Sequence, residues 1–200
     1  MNKKTWILIL VLALLLLLVG AYLLYNHLGQ DLAPDQLATQ PPVQETEAPA
    51  DTPTEPAKEP VIAPDFTVYD AEGNPVNLYD YTGKPIVLNF WASWCGPCQM
   101  EMPDFHEKYL ALGEEVQFLM INMTDGSRET VESASDFIAQ QGYTFPVFYD
   151  TTTEAAMTYG AYSLPTTFFI SAEGHAIARA TGAIDGETLQ RGIDMIYTPG

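Results

Sequence analysis

Cys95 and Cys98 are the only cysteines in the chain, and they stand three residues apart in Trp94-Cys95-Gly96-Pro97-Cys98. Such a pair can bind zinc, attach haem or cycle between dithiol and disulfide, so its surroundings decide. A structural zinc site needs two more ligands. The three histidines are scattered: His27 beside an N-terminal apolar run, His106 midway along a helical stretch, and His175 in a distant turn. Haem attachment needs a histidine directly after the second cysteine, where Gln99 stands. Reversible disulfide chemistry fits the setting. Ile86 to Trp91 reads as a buried strand, and a helix from about Cys95 to Leu112 follows. At the start of that helix Cys95 meets unpaired amide N–H groups and the positive end of the helix dipole, both of which favour thiolate. Cys98, one turn later on the buried side, is placed to resolve a mixed disulfide. Met100 and Met102 lie close by, and thioether with thiolate suits Cu(I). Met102 belongs to the apolar stripe of the helix, however, and no histidine completes a site, so neither a metal nor a cofactor is expected.

These cysteines need elements to hold them, and residues 61–200 supply an α/β pattern. Phe66 to Tyr69 and Pro75 to Leu78 flank Glu72-Gly73-Asn74 as a hairpin. Val116 to Ile121 and Val147 to Tyr149 read as further strands. Helices are expected over about Thr130 to Gln141 and near Ala155 to Tyr159. Thr166 to Ile170 and Ala176 to Thr181 form a second hairpin. A last helix follows Asp185, a suitable N-cap, and turns Leu189, Ile193 and Ile196 inward. The helix after the cysteines carries Cys98, Met102, Phe105, Tyr109 and Leu112 on one face. Strand and helix alternation that ends in a hairpin and a helix predicts a mixed central sheet flanked by helices. His106 and His175 are expected to be exposed.

The stretch Asn89-Phe90-Trp91-Ala92-Ser93-Trp94-Cys95-Gly96-Pro97-Cys98 resembles the active site of the thioredoxin superfamily, and Ser163-Leu164-Pro165-Thr166-Thr167-Phe168 resembles its cis-proline loop. The closer resemblance is to membrane-anchored, extracytoplasmic oxidoreductases of the TlpA/ResA type, given the N-terminal hairpin, the extra helix at 130–141 and the sequence Cys98-Gln99-Met100-Glu101-Met102-Pro103. That resemblance implies a thioredoxin-like fold and a Cys95–Cys98 redox couple. It also implies a cis Pro165 packed on the disulfide, with Leu164 and Thr166 beside it and the Leu164 backbone free to pair with an extended substrate. Trp94, Gly96 and Pro97 complete the contact surface, while Trp91 belongs to the core. Ordinary thioredoxins carry a buried Asp six residues before the first cysteine, whereas Asn89 stands here and cannot exchange a proton. Glu101, on the side of the helix that carries Cys98, takes that place, and half-burial there would raise its pKa. The resemblance implies reduction of disulfides in exported proteins, such as apocytochrome c or sulfoxide reductases. It further implies a membrane protein that relays electrons from cytoplasmic thioredoxin. Gly96-Pro97 is the dipeptide of reducing thioredoxins, which favours reductase over oxidase; a copper chaperone is a more remote alternative. Peroxiredoxins place their cysteine in a different loop motif, which disfavours a peroxidase.

Upstream of residue 61 the texture changes twice. Trp6 to Tyr25 are twenty residues without a charge, preceded by Lys3 and Lys4. A helix of that length spans about 30 Å, the thickness of a bilayer's hydrocarbon core. Residues 1–28 therefore read as a signal anchor with its N-terminus in the cytoplasm and the rest outside; no small-residue cleavage site follows the apolar run. Residues 29–60 are rich in proline and acids and poor in large apolar groups, the composition of a disordered tether. Residues 61–200 form the thioredoxin-like domain, expected as a monomer. The chain as a whole carries 26 acidic against 8 basic residues and a net charge of −18. That balance repels phosphate backbones, so no nucleic-acid partner is expected.

Overall fold

The computed structural model describes residues 37–38 and 61–199. The expected membrane anchor, and the expected tether apart from Leu37–Ala38, lie outside these residues. Among the described residues no helix is long and apolar enough to cross a membrane.

The centre of the sheet is β5 (Ile86–Trp91), buried along its whole length. It pairs in parallel with β6 (Gln117–Asn122) and antiparallel with β8 (Thr166–Ile170). Beyond β6 lie β7 (Val147–Tyr149), parallel to it, and then the hairpin of β3 (Thr67–Tyr69) and β4 (Pro75–Asn77). Beyond β8 lies β9 (His175–Thr181), which carries the two short strands β1 (Leu37–Ala38) and β2 (Val61–Ile62), both antiparallel. The mixed sheet and its flanking helices make the thioredoxin-like α/β fold that the sequence predicts. Pairing of β1 and β2 to β9 was not foreseen, because two-residue strands carry no periodic signal.

Alternation along β5 divides the core. Val87 and Trp91 face a cluster with Met102 and Phe105 of α1 (Gly96–Leu112), together with Leu189 and Ile193 of α4 (Gly186–Asp194). Ile86, Leu88 and Phe90 face the opposite cluster, with Phe66, Phe168 and Tyr159 of α3 (Glu154–Tyr159). Each large apolar side chain buried in this way contributes roughly 1.5–3 kcal/mol. Asn89 lies between Val87 and Trp91, so the period of two turns it toward α1. A polar residue in that row is the first mark of the site.

Local signals set the helix starts. Asp185 caps α4, its Oδ1 accepting the N–H of Thr188 at 2.8 Å. Thr130 caps α2 (Val131–Gln141), its Oγ1 accepting the N–H of Ser133 at 3.1 Å, and Gly142 ends that helix at φ 71°. Helix α4 sits so close to β8 that a Cβ on Gly192 would lie 2.1 Å from Cζ of Phe169. Only glycine permits that approach.

Three expectations are corrected. Ile196 lies beyond the end of α4 and is half-buried there. His175 opens β9 opposite Ile62 instead of sitting in the turn, and is half-buried. His106 is also half-buried: its Nε2 accepts the N–H of Thr144 at 3.3 Å, and its ring meets Tyr143 and Phe145 edge-on. Those partners lie almost forty residues further along the chain, beyond what helical periodicity can report.

Candidate redox site

Cys95 and Cys98 are joined as a disulfide at the start of α1. Cys95 is the N-cap, its sulfur accepting the N–H of Cys98 at 3.2 Å, and Pro97 occupies the first turn, where its missing N–H costs nothing. Gly96 and Pro97 are exposed, whereas both sulfurs belong to residues that are largely covered. The two are not equivalent, because Cys95 lines an open groove and Cys98 does not. The N–H groups and dipole at the head of α1 are directed at Cys95.

Behind Cys98 lies Glu101, 2% exposed. Its Oε1 accepts the side-chain N–H of Asn89 at 2.8 Å, and its Oε2 accepts the backbone N–H of Ile184 at 3.0 Å. Asn89 also donates to Oγ1 of Thr167 at 3.0 Å, which ties β5 to β8 beneath the carboxyl group. Burial pushes the Glu101 carboxyl up to about 8; the bonds from Ile184 and Asn89 pull the other way but recover only part of that cost. The sequence foresaw a half-buried acid here, and the structure buries it almost completely. The Ile184 contact was missed, since it comes from the link between β9 and α4.

The Leu164–Pro165 peptide is cis, and Pro165 is buried. Neither the N–H nor the C=O of Leu164 makes a hydrogen bond among the described residues. The hydroxyl of Thr166 closes the turn onto the carbonyl of Ser163 at 2.6 Å, and the carbonyl of Pro165 accepts the N–H of Gly182 at 2.9 Å. Leu164, Trp94, Met123, Met157 and Tyr162 line the groove beside Cys95, which encloses about 690 Å³. Met157 is 65% and Tyr162 83% exposed. Exposed apolar residues gathered around one groove mark a contact surface.

The sequence missed a second buried carboxylate. Glu129 is fully covered, and three donors converge on it. Its Oε1 accepts the backbone N–H of Ser93 at 2.8 Å and the side-chain N–H of Asn122 at 2.6 Å, while its Oε2 accepts the hydroxyl of Ser93 at 2.7 Å. Next to it, Arg128 lays its guanidinium over the Trp94 ring, 3.6 Å from the centroid. An acid just ahead of the Thr130 cap reads as an ordinary helix-start residue, so no local signal could have found this role. Among the described residues no cluster of potential metal ligands occurs.

A disulfide at a helix head, a cis-proline loop opposite it and a buried acid behind it, on a thioredoxin-like fold, define a thiol–disulfide oxidoreductase. Comparison with known proteins agrees. The profile of the AhpC/TSA family matches residues 61–178, and the chain belongs to that family. A thiol-disulfide oxidoreductase ResA of Bacillus thuringiensis subsp. konkukian (strain 97-27) is 37% identical over 137 residues, which cover 67% of this chain and 76% of that protein. The ResA of Bacillus subtilis (strain 168) is 31% identical over 135 residues, covering 67% and 73%. Among solved structures, StoA from Bacillus subtilis is 28% identical with a TM-score of 0.56, covering 66% of this chain and 98% of its own.

Proposed function

We propose that this chain reduces disulfides of exported proteins outside the cytoplasmic membrane. Cys95 is the attacking thiolate, since it faces the groove and caps α1. Its sulfur bonds to one sulfur of the substrate disulfide and expels the other as a thiolate. Cys98, deprotonated by Glu101, then attacks the Cys95 sulfur, closes the Cys95–Cys98 disulfide and releases the second substrate thiolate. Two electrons and two protons pass to the substrate. Its backbone lies along the free edge of Leu164 in the manner of an added strand, guided by Pro165 and Thr166. Trp94, Gly96 and Pro97 form the facing surface.

One observation carries this reading: Glu101 is buried on the helix that carries Cys98, with its carboxyl raised to about 8, where it can hold or release a proton near neutral pH. Gly96-Pro97 supports the reducing direction. The uncharged run Trp6 to Tyr25 after Lys3 and Lys4 supports a single-pass anchor with the N-terminus inside. Spent Cys95–Cys98 disulfide is then recharged by a membrane electron carrier supplied from cytoplasmic thioredoxin. The redox potential of the cysteine pair tests the direction. A value of about −250 mV is expected, and one of about −120 mV overturns reduction in favour of oxidation.

A further inference from the structure

Glu129 is a buried acid that this chemistry leaves unused, and its surroundings are those of a clamp. Ser93 is the second residue before Cys95, and each of its polar groups is engaged. Its N–H and hydroxyl both donate to the Glu129 carboxylate, and its carbonyl accepts the side-chain N–H of Gln99 at 2.5 Å. Glu129 is itself fixed from β6 through Asn122, whose Oδ1 accepts the hydroxyl of Thr124 at 2.8 Å. Its backbone N–H donates to Asp125 Oδ1 at 3.0 Å, as do those of Ser127 and Arg128 at 2.7 Å. One side chain thus joins the exit of β5, the end of β6 and the loop before α2. Arg128, adjacent in sequence, rests on Trp94. The residues that present Cys95 and Trp94 to the groove are held by this anchored loop.

We infer that Glu129 is a positioning residue of the redox centre, holding Ser93 so that Cys95 stays over the head of α1 and Trp94 stays against Arg128. This rests on Cys95 being the attacking thiolate. The geometry makes a discriminating experiment possible. Oε1 receives both N–H donors and Oε2 receives only a hydroxyl, which can turn to accept. A glutamine amide therefore reproduces all three contacts, with its oxygen in place of Oε1 and its N–H donating to Ser93. Alanine reproduces none and strands two buried N–H groups.

The full chain is compared as wild type, E129Q, E129A and C95S. The readouts are kcat/KM for a peptide disulfide with dithiothreitol as electron source, the pH profile of Cys95 alkylation by iodoacetamide in the reduced protein, and the melting temperature. E129A is expected to lose roughly tenfold or more in kcat/KM, since small displacements of a reacting group have effects of that size or larger. Its alkylation profile is expected to move to higher pH, because the thiolate leaves the helix head. E129Q is expected to keep both within about twofold of wild type, the same allowance for geometry retained. A lower melting temperature in E129A with an unmoved alkylation profile would mean a purely structural part and overturn the inference. So would E129Q failing as E129A does, because the charge and not the placement would then matter. If E129A is too unstable to purify, S93G, which deletes one of the three contacts, replaces it with the same expected shift in profile. C95S is the separate check: full exchange activity in C95S overturns the mechanism itself, whereas an inactive C95S beside an unaffected E129A overturns only the placement of Glu129.

Discussion

Two carboxylates are buried on either side of the Cys95–Cys98 turn, and their surroundings set them to different work. Glu101 stands on the helix that carries Cys98, with one amide donor from Asn89 and one backbone donor from Ile184. Two bonds do not offset its desolvation, and the carboxyl rises to about 8. Glu129 stands on a loop, with three donors from two different elements aimed at it. The first acid has its carboxyl raised by burial, and the second links the exit of β5 to the end of β6. What the donors are attached to, and not burial alone, therefore distinguishes the two acids. That contrast has four measurable consequences of decreasing size.

The largest concerns stability against pH in the oxidised protein. Glu101 has a folded-state pKa near 8 against about 4.5 unfolded, so the folded state holds the extra proton between those values. Stability from this group is complete below the unfolded value and is lost as pH rises through about 8. The whole shift is worth about 5 kcal/mol, of which about 4 falls between pH 5 and pH 9. Denaturant titrations of wild type and E101Q at pH 5 and pH 9 should differ by an amount of that order, with E101Q the flatter. Parallel profiles would show that Glu101 does not titrate as its burial demands.

Next comes the chemistry. With the acid replaced by an amide of equal size, proton transfer from Cys98 loses its acceptor, and positioned acid–base groups contribute at least about a hundredfold. Stopped-flow measurement should show E101Q slowed by about that factor in the step that resolves the mixed disulfide, with the initial attack by Cys95 unchanged. Uniform slowing of both steps would assign Glu101 to the architecture instead. An amide is thus expected to disable one buried acid and to be tolerated at the other.

A smaller effect probes the clamp energetically. Ser93→Ala removes the hydroxyl bond to Glu129 and leaves the backbone bond, so the loss should be about 1 kcal/mol in urea unfolding. No measurable change would mean that the backbone contact alone carries the loop.

Why one acid was legible and the other was not follows from where their partners lie. Cys95, Cys98 and Glu101 share one helix, so spacing of three places them on neighbouring turns, and the apolar stripe through Met102 and Phe105 tells which side is buried. The fold was legible for the same reason: β5, β8 and the helices have runs long enough to show their period, and apart from β1 and β2 the strands observed lie within a residue or two of those expected. Glu129 gains its function from Ser93 and Asn122, which adjoin it only after β5 and β6 pair. Ile184 reaches Glu101 across more than eighty residues, and His106 meets Thr144 in the same way. Sheet pairing brings such residues together, and no local pattern records it.

Arg128 offers the finest division between the two sides of the turn. Its backbone belongs to the anchored loop, yet its side chain lies over Trp94 at the groove, where Trp94 is 41% exposed. A cation over an exposed aromatic face is worth about 0.5–1 kcal/mol, and its loss leaves the sulfur chemistry untouched. Arg128→Gln should therefore raise KM for a peptide disulfide about two- to fivefold while kcat stays constant, following the conversion of free energy into binding. A small linear disulfide that does not reach Trp94, such as 2-hydroxyethyl disulfide, should be handled as in wild type. A fall in kcat for both substrates would place Arg128 in the clamp with Glu129 and not in the groove wall. The loop would then act as one body, and the separation between holding the cysteine and reading the substrate would disappear.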